Sequence, residues 1–503
     1  MRAWTHPRVV TMLFLGFSAG VPILLIFSSL SLWLREAGVS RSAVTFFSWA
    51  ALGYSFKFVW APLIDTLPLP ILTRKLGRRR GWLLVAQAAV ITAITIMAMT
   101  DPAAGEKNIL IMALAAVMLG FSSATQDIVI DAYRIECAEE KLQALLSSTY
   151  IAGYRIGMLV AGAGALYLAS WFGTSKAAYS YTAWQYSYLA MAAVMLVGVT
   201  TTLVIPEPAS NRGVFEFPAT HYLRFILLFA CSAGTFAAVF FLSNGLVAGL
   251  KDSLAPDFPG NGRLVAFGIE TVRLGAAVTG ALGVAFVLTL FGVADRPMVR
   301  QTYVEPVADF FRRYHLGTAL LLLALIGLYR ISDIVLGVIS NVFYQDLGFS
   351  KNVIASIIKT FGLVMTLAGG FLGGMLTVRY GVMKILFAGA VLSSATNLLF
   401  LLLARIGDSV PALTLVIAAD NLSAGIATTA FVAFLSSLTS ISFTAVQYAI
   451  FSSLMTLLPK LIGGYSGTMV TAWGYEWFFL ATTLMGAPVL LLIWLAGRRL
   501  QND

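Results

Sequence analysis

The chain has 503 residues, of which 59% are hydrophobic and 11% are charged, and its formal net charge is +10. Soluble domains carry roughly 25% charged residues, so this composition excludes an ordinary soluble protein and indicates an integral membrane protein. The basic residues lie mostly in short loops between apolar segments, where membrane orientation explains them better than nucleic-acid binding does. Cys137 and Cys231 stand alone, with neither a disulfide framework nor a metal-ligand spacing.

Apolar segments long enough to cross a bilayer recur along the whole chain. The first half has six, at about 9–34, 43–66, 82–99, 109–132, 146–171 and 183–205. The second half also has six, at about 316–344, 353–378, 385–404, 411–438, 444–464 and 476–496. Two further segments, near 222–250 and 271–293, lie between the halves. The sequence therefore predicts an all-α membrane protein with about fourteen transmembrane helices.

We interpret the chain as three parts. Residues 1–210 form an N-terminal six-helix bundle, 211–300 an inserted helix pair with its linkers, and 301–503 a C-terminal six-helix bundle. An even insertion keeps the direction of the second half, and the basic loops then fall on one side of the membrane. We therefore expect both termini to be cytoplasmic.

A faint internal repeat supports the duplication. Gly38 and Ser40 follow Trp33 after the first span, just as Gly348 and Ser350 follow Phe343 after the first span of the second half. The segment 184–190, which enters the sixth span, likewise resembles 475–481, which enters the last. Matching places and directions favour two parallel halves. The alternative is a chance likeness between two membrane loops.

The predicted span 109–132 ends in a polar stripe. Gln126, Asp127, Asp131 and Arg134 recur at helical spacing, so their side chains share one side of the helix. Each charge placed in hydrocarbon costs roughly 2.5 to 3.5 kcal/mol on insertion scales. The stripe therefore predicts a wet or protein-lined cavity.

Further charges lie inside other predicted spans and could bind a solute in that cavity: Lys57, Arg155, Arg330, Asp333 and Lys359. Alternatively they pair helix to helix, and Arg330 and Asp333, three residues apart, could satisfy each other. Asp420, Asn421 and Lys460 are further candidates in the second half.

A proton-coupled carrier needs a carboxylate whose proton affinity changes as the cavity opens to either side. Asp127 is our first candidate for this role. Asp131 and Arg134 lie nearer the cytoplasmic end of the span and could instead form a structural pair. The histidines all lie at span edges, so a histidine relay through the bilayer is not expected.

At this point the residues resemble a known family. Asp65, followed by the cluster Gly77-Arg78-Arg79-Arg80, resembles the cytoplasmic signature of the major facilitator superfamily. Four motifs more narrowly resemble the AmpG-type muropeptide permeases: LGFSAGVP (15–22), FKFVWAPLID (56–65), ATQDIVIDAYR (124–134) and GYRIGMLV (153–160). These motifs cover mainly the first 160 residues, and the second half matches in pattern more than in letters.

The resemblance implies a major facilitator superfamily fold in the inner membrane of a Gram-negative bacterium. The implied cargo is an anhydro-muropeptide, an N-acetylglucosaminyl-anhydro-N-acetylmuramyl peptide, imported with protons for peptidoglycan recycling. Import of this kind also feeds the induction of beta-lactamase in relatives. The extra helix pair departs from a bare twelve-helix carrier.

The same resemblance implies that Asp65, Arg78, Arg79 and Arg80 act as a gate at the cytoplasmic face. The alternative is that the arginines bind anionic lipid headgroups, worth about 1 kcal/mol per charge near the surface.

Three classes of function compete. No phosphate-binding loop supports an ATP-driven pump, and no metal-ligand pair or nucleophile elbow supports an enzyme. We therefore expect a secondary carrier without cofactor or metal, acting as a monomer, whose partners are a small-molecule substrate, protons and membrane lipid. The alternatives are a transporter of acetyl-coenzyme A or another anionic metabolite, and a non-transporting assembly or sensor protein of the same fold.

Overall fold

The computed structural model describes residues 6–39, 54, 56–175, 178–209, 217–254, 262–350, 353–463 and 465–500. Within these residues, 13 helices are long and apolar enough to cross a membrane. In chain order they are α1 Pro7–Leu24, α2 Arg78–Ala98, α3 Glu106–Glu136, α4 Leu142–Trp171, α5 Tyr181–Val204, α6 Thr220–Leu242, α7 Gly268–Leu290, α8 Arg296–Asp346, α9 Ser356–Tyr380, α10 Val382–Ile406, α11 Val410–Leu438, α12 Ile441–Gly463 and α13 Ser466–Arg499.

These helices confirm the predicted all-α membrane fold. Half of the predicted span 43–66 lies outside the described residues, and its described end forms a 3-10 turn, Lys57–Val59, and a short helix, Ala61–Thr66. The α8 segment is longer than predicted, but its backbone leaves the helical region at His315, with φ 51°. The predicted span 316–344 begins directly after that break.

The contacts divide the chain into two compact units, Met1–Ser210 with Phe310–Asp503, and Asn211–Asp309. In the first unit, the buried apolar side chains form one cluster within residues 21–195 and another mainly within 310–496. Each half of this unit thus has its own core. The division into parts at 210 and 300 stays our prediction.

The second unit contains α6 and α7. Arg273 of α7 places its guanidinium 3.9 Å from the ring centroid of Phe240 on α6. Glu270 accepts from Lys251 at 2.6 Å and pairs with Arg273 at 3.2 Å. A cation and a ring in this arrangement attract each other, so these contacts help to hold the two helices together.

Glycines let α1 and α4 approach closely. A Cβ atom built at Gly153 would lie 2.0 Å from the carbonyl oxygen of Leu13, and one at Gly157 would lie 2.2 Å from that of Phe17. The approach is reciprocal, because a Cβ at Gly20 would lie 2.0 Å from the Tyr154 carbonyl oxygen. Small residues at helix contacts are typical of membrane bundles, where they increase van der Waals contact.

The second half uses the same device between α9 and α11. A Cβ at Gly369 would lie 2.1 Å from the carbonyl oxygen of Leu422, and a Cβ at Gly425 would lie 2.3 Å from that of Thr366. These pairs make each half a tightly packed body.

The internal repeat is visible in the aromatic packing of the two halves. Trp33 stacks on Trp184 with ring centroids 5.5 Å apart and contacts Tyr188 at 4.8 Å. In the second half, the corresponding positions are occupied by Phe343, Tyr475 and Phe479. The centroid of the Phe343 ring lies 4.9 Å from that of Tyr475 and 4.8 Å from that of Phe479. Aromatic pairs of this kind contribute about 0.5–1.5 kcal/mol beyond their buried area.

The turns after these rings also correspond. Gly38 has φ 78° and Gly348 has φ 92°, a left-handed conformation that favours glycine. The two corresponding glycines therefore adopt the same kind of conformation in both halves.

We expect Gly153→Ala to lower the thermal stability of the protein in detergent. The added methyl group must move the backbone of α1, and overpacking of this kind typically costs about 1–3 kcal/mol. The matched control is Gly337→Ala, whose Cβ meets nothing within 4 Å. The control should melt at or above the temperature of the parent. Equal melting temperatures for Gly153→Ala and the parent would contradict the proposed role of this contact.

Candidate functional site

Asp131 on α3 is the centre of a buried charge cluster. Its carboxylate lies 3.6 Å from the Lys57 Nζ and 3.3 Å from an Arg134 guanidinium nitrogen. Asp131 is 6% exposed and Arg134 is fully buried. The spacing of three residues places Asp131 and Arg134 on one side of α3, while Lys57 comes from the turn before the Ala61–Thr66 helix. The pair that the sequence left open is therefore formed.

Arg134 also joins the two halves of the first unit. One of its terminal nitrogens donates to Ser147 at 2.9 Å and to Ser436 of α11 at 2.8 Å. Its guanidinium lies 5.0 Å from the centroid of the Tyr448 ring on α12. Arg134 thus connects α3 to helices of the other half and is enclosed by protein.

Asp127 lies one turn from Asp131 and is 7% exposed. Its Oδ1 atom is buried and makes no hydrogen bond to the described residues. Lys57 and Asp131 are the charged groups that act on it electrostatically. A buried carboxylate oxygen without a partner is costly, so this site is suited to bind and release a proton.

Tyrosines surround Asp127, and sequence reasoning missed them. Tyr54, Tyr150 and Tyr154 each interact electrostatically with Asp127. Tyr54 donates to Ser123 at 2.7 Å. A signal was available, since Tyr150 and Tyr154 are four residues apart and share one side of α4.

Gln126 does not join this cluster. Its amide nitrogen donates to the Ser18 carbonyl oxygen at 3.1 Å, and its amide oxygen accepts from the Ser18 hydroxyl at 3.1 Å. The side chain is fully buried. Gln126 therefore fastens α3 to α1.

The other predicted cavity residues are Arg330, Asp333, Arg155 and Lys359. Arg330 pairs with Asp333 at 3.4 Å and donates to Thr428 of α11 at 3.1 Å. Arg155 is exposed and makes no hydrogen bond or ion pair within the described part of the chain. Lys359 lies in the π-helical stretch Ile354–Phe361, and its side chain is outside the described residues.

Asp333 and Asp420 bring two acids into the second half of this region. The Ser393 hydroxyl donates to Asp333, and Thr396 donates to Asp420 at 3.3 Å. The charge of Asp333 acts on Asp420, and so does that of Arg330. The second half therefore has its own group of polar side chains opposite α3 and α4.

A second ion-pair cluster, the Arg79 cluster, lies at the Glu136 end of α3. It consists of Arg79, Asp65, Glu136 and Thr444. Arg79 lies 2.7 Å from Asp65 and 2.6 Å from Glu136, and it donates to the Thr444 hydroxyl at 2.9 Å. Asp65 also accepts from the backbone N–H of Val446 at 3.1 Å. Because Thr444 and Val446 belong to α12, the cluster connects the two halves.

The other two arginines of the predicted gate, Arg78 and Arg80, donate to backbone carbonyl oxygens. Arg78 donates to the Asp65 carbonyl oxygen at 2.6 Å. Arg80 donates to the carbonyl oxygens of Thr202 and Leu203, at 2.9 and 2.7 Å, and so fixes α2 to the end of α5. Arg79 contacts the second half through the Thr444 hydroxyl of α12. Sequence reasoning also missed Glu136, whose burial depends on that half.

The chain is similar to known transport proteins. A family model described as Acetyl-coenzyme A transporter 1 matches residues 8–207. The putative transporter AmpG 4 of Rickettsia conorii is 29% identical over 486 residues, covering 97% of this chain and 95% of its own. The anhydromuropeptide permease of Escherichia coli K12 is 28% identical over 503 residues, covering 100% of this chain and 82% of its own.

The chain is therefore similar to these two transporters over nearly its whole length. Among solved structures, the fucose:proton symporter of E. coli matches with a TM-score of 0.58 at 11% identity, over 97% of this chain and 98% of its own. This match establishes the major facilitator superfamily fold. The resemblance seen in the motifs is thus confirmed, and the protein is a multi-pass membrane protein.

We expect Glu136→Ala to destabilise the protein strongly. Arg79 is 1% exposed, and removal of one partner from a buried ion pair typically costs about 3–5 kcal/mol. Because Asp65 remains, the loss should lie at the lower end of that range. Thermal unfolding in detergent measures it.

The matched control is Glu476→Ala, which removes the partner of Arg405 from a surface ion pair with side chains 62% and 50% exposed. This control should leave the melting temperature unchanged. A similar loss in both variants would contradict a special role for Glu136.

Proposed function

We propose that this protein is a secondary active transporter that imports anhydro-muropeptides across the bacterial inner membrane, together with protons, for peptidoglycan recycling. The observation that carries the proposal is the full-length similarity to the anhydromuropeptide permease of E. coli. The relatives are named as transporters and permeases, so we do not assign an enzymatic reaction. We propose that the carrier works as a monomer surrounded by membrane lipid.

The chemistry of the interface between the halves suits such a solute. A muropeptide carries carboxylates, acetamido groups and sugar hydroxyls. The proposed binding residues supply cations and a carboxylate: Lys57, Arg155, Arg330, Asp333 and Lys359. Three neighbouring side chains support them: Gln126, Asp131 and Arg134. Tyr150 and Tyr154 add amphipathic rings that can cover the apolar faces of a sugar. A solute bound here would replace its water shell with hydrogen bonds to protein.

We assign the proton to Asp127. Its buried Oδ1 has no hydrogen-bond partner among the described residues, whereas Asp131 lies close to both Lys57 and Arg134. A proton on Asp127 removes the charge that burial penalises and leaves Lys57 less neutralised. An anionic solute would then be attracted to the same place. This order links proton binding to solute binding.

The Arg79 cluster is our proposed gate. Hydrogen bonds from Arg79, Arg134 and Ser148 reach the second half at the Glu136 end of α3. Towards the other end, Trp33 and Trp184 donate to Tyr179 and Glu36 of their own half. We propose that the Glu136 end is cytoplasmic, together with both termini, and that the solute enters from the opposite side. Transport then requires these contacts to break.

Acetyl-coenzyme A or another anionic metabolite is a second candidate solute. The match of residues 8–207 to the acetyl-coenzyme A transporter model favours it. Both solutes are large anions, so the cationic interface does not separate them. Competition between the two solutes in one uptake assay would distinguish them.

The first test is uptake of radiolabelled anhydro-muropeptide into right-side-out membrane vesicles, with and without an imposed proton gradient. We expect the parent to accumulate the label against its gradient. Asp127→Asn should lose this accumulation but keep exchange of labelled for unlabelled solute, because only coupling is removed. The matched control, Asp408→Asn, changes an exposed loop acid and should behave as the parent.

No uptake by the parent would contradict muropeptide transport, and inhibition by acetyl-coenzyme A alone would favour the second candidate. Equal gradient-driven accumulation by Asp127→Asn and the parent would contradict the proton assignment.

The second test locks the proposed gate. A Cβ at Gly374 of α9 would lie 3.0 Å from the Ser148 Cβ of α4, close to the 3.5–4.5 Å range of disulfides. We expect Ser148→Cys with Gly374→Cys, in a background with Cys137→Ser and Cys231→Ser, to lose uptake on oxidation and recover it on reduction. Ser148→Cys alone is the control. Full uptake by the oxidised double variant would contradict separation of the halves at this point.

A further inference from the structure

Arg155 differs from the other charges at the interface because nothing among the described residues pairs with it. Lys57, Arg134 and Arg330 each lie within 3.6 Å of a carboxylate oxygen. Arg155 has no such partner, although it lies in the middle of a membrane-spanning helix. A charge of this kind is expensive unless it faces water or an anion, so an unpaired arginine here points to a ligand.

The helical position of Arg155 shows which way it faces. Ser148, on the same helix, donates to the Gly370 carbonyl oxygen of α9 at 2.8 Å and therefore faces the second half. Seven residues span almost two turns of an α-helix, so Arg155 lies on the same side as Ser148, about 10 Å farther along. The opposite side of α4 carries Gly153 and Gly157, which pack on α1.

Arg330 is the counterpart on the second half. It is the charged group that acts most strongly on Arg155. Arg330 is held by Asp333 and Thr428, which fixes its guanidinium, and its side chain is 22% exposed. Two guanidinium groups from opposite halves thus act on each other across the interface. The carboxylate that we find beside them, Asp333, pairs with Arg330.

We propose that Arg155 and Arg330 together bind one carboxylate of the transported solute, with one guanidinium supplied by each half. This proposal rests on the transport function proposed above and names the chemical group that the site selects. Guanidinium groups present paired N–H donors that match the two oxygens of a carboxylate, and they cannot lose their charge.

A bound carboxylate would change how Arg155 and Arg330 affect closure of the two halves. Two positive charges on opposite halves repel each other when water leaves the space between them. A carboxylate between them reverses this effect, because it attracts both. The bound solute therefore acts as a bridge that favours closure of the halves around it, and a neutral analogue lacks this effect.

The test compares two probes with purified full-length protein in detergent, by scintillation-proximity binding. One probe is labelled anhydro-muropeptide, and the other is the same molecule with its carboxylates converted to methyl esters. For the parent we expect the free acid to bind about tenfold to hundredfold more tightly than the ester, as for a charge-assisted hydrogen bond. Arg155→Gln and Arg330→Gln should each remove most of this preference while affinity for the ester changes little.

Arg155→Lys should restore part of the preference, since the charge returns without the paired donors. The control Arg405→Gln, a surface arginine, should bind both probes as the parent does. If the parent binds neither probe, the proposed transport function fails. If the parent transports and binds both probes equally, or if Arg155→Gln keeps the full preference, the carboxylate site is wrong while the transport function stands.

Discussion

The constraint that organises this protein is the cost of a charge in hydrocarbon. A charged side chain in a membrane span must reach another charge, a hydrogen-bond partner or water. Here the charges of α3 reach the seam between the two halves of the first unit. Asp131 lies between Lys57 and Arg134, and Arg79 lies between Asp65 and Glu136. The seam is therefore the place where these buried ion pairs lie, and it is where we propose that the solute binds.

The two kinds of packing in the first unit have different mechanical consequences. Within a half, helix backbones touch at glycines, as Gly153 does on α1 and Gly369 on α11, and such contacts tolerate little displacement. Between the halves, contact is made by hydroxyls such as Ser436 and Thr444 with buried arginines. Hydrogen bonds of this kind can exchange with water at small net cost. Rigid halves joined by exchangeable contacts are the physical requirement for rocking motion.

The polar side chains near the seam also differ in their access to water. Arg134 and Gln126 are fully enclosed and have partners on neighbouring helices, so their role is to hold helices in place. Asp127 is buried but keeps one oxygen without a partner, whereas Arg155 is exposed and unpaired among the described residues. The last two are suited to bind something that comes and goes, a proton in one case and an anion in the other.

The sequence by itself determined the membrane class, the helical spans and the repeat, because these depend on local quantities. Twenty apolar residues cross a bilayer whatever surrounds them, and a spacing of three or four places Asp131 and Arg134 on one helix face. The family resemblance likewise depends on short motifs, and full-length relatives confirmed it.

Only the tertiary structure decided which of these side chains meet. Ser436, which accepts a hydrogen bond from Arg134, is 302 residues away in the chain, and Thr444 is 365 residues from Arg79. Helical spacing placed Gln126 beside Asp127, yet the docking of α1 turned it to Ser18. The meeting of the two halves placed Glu136 against Thr444 and left Arg155 exposed. Side-chain partners across a seam depend on how two separately packed halves meet, and no local pattern carries that information.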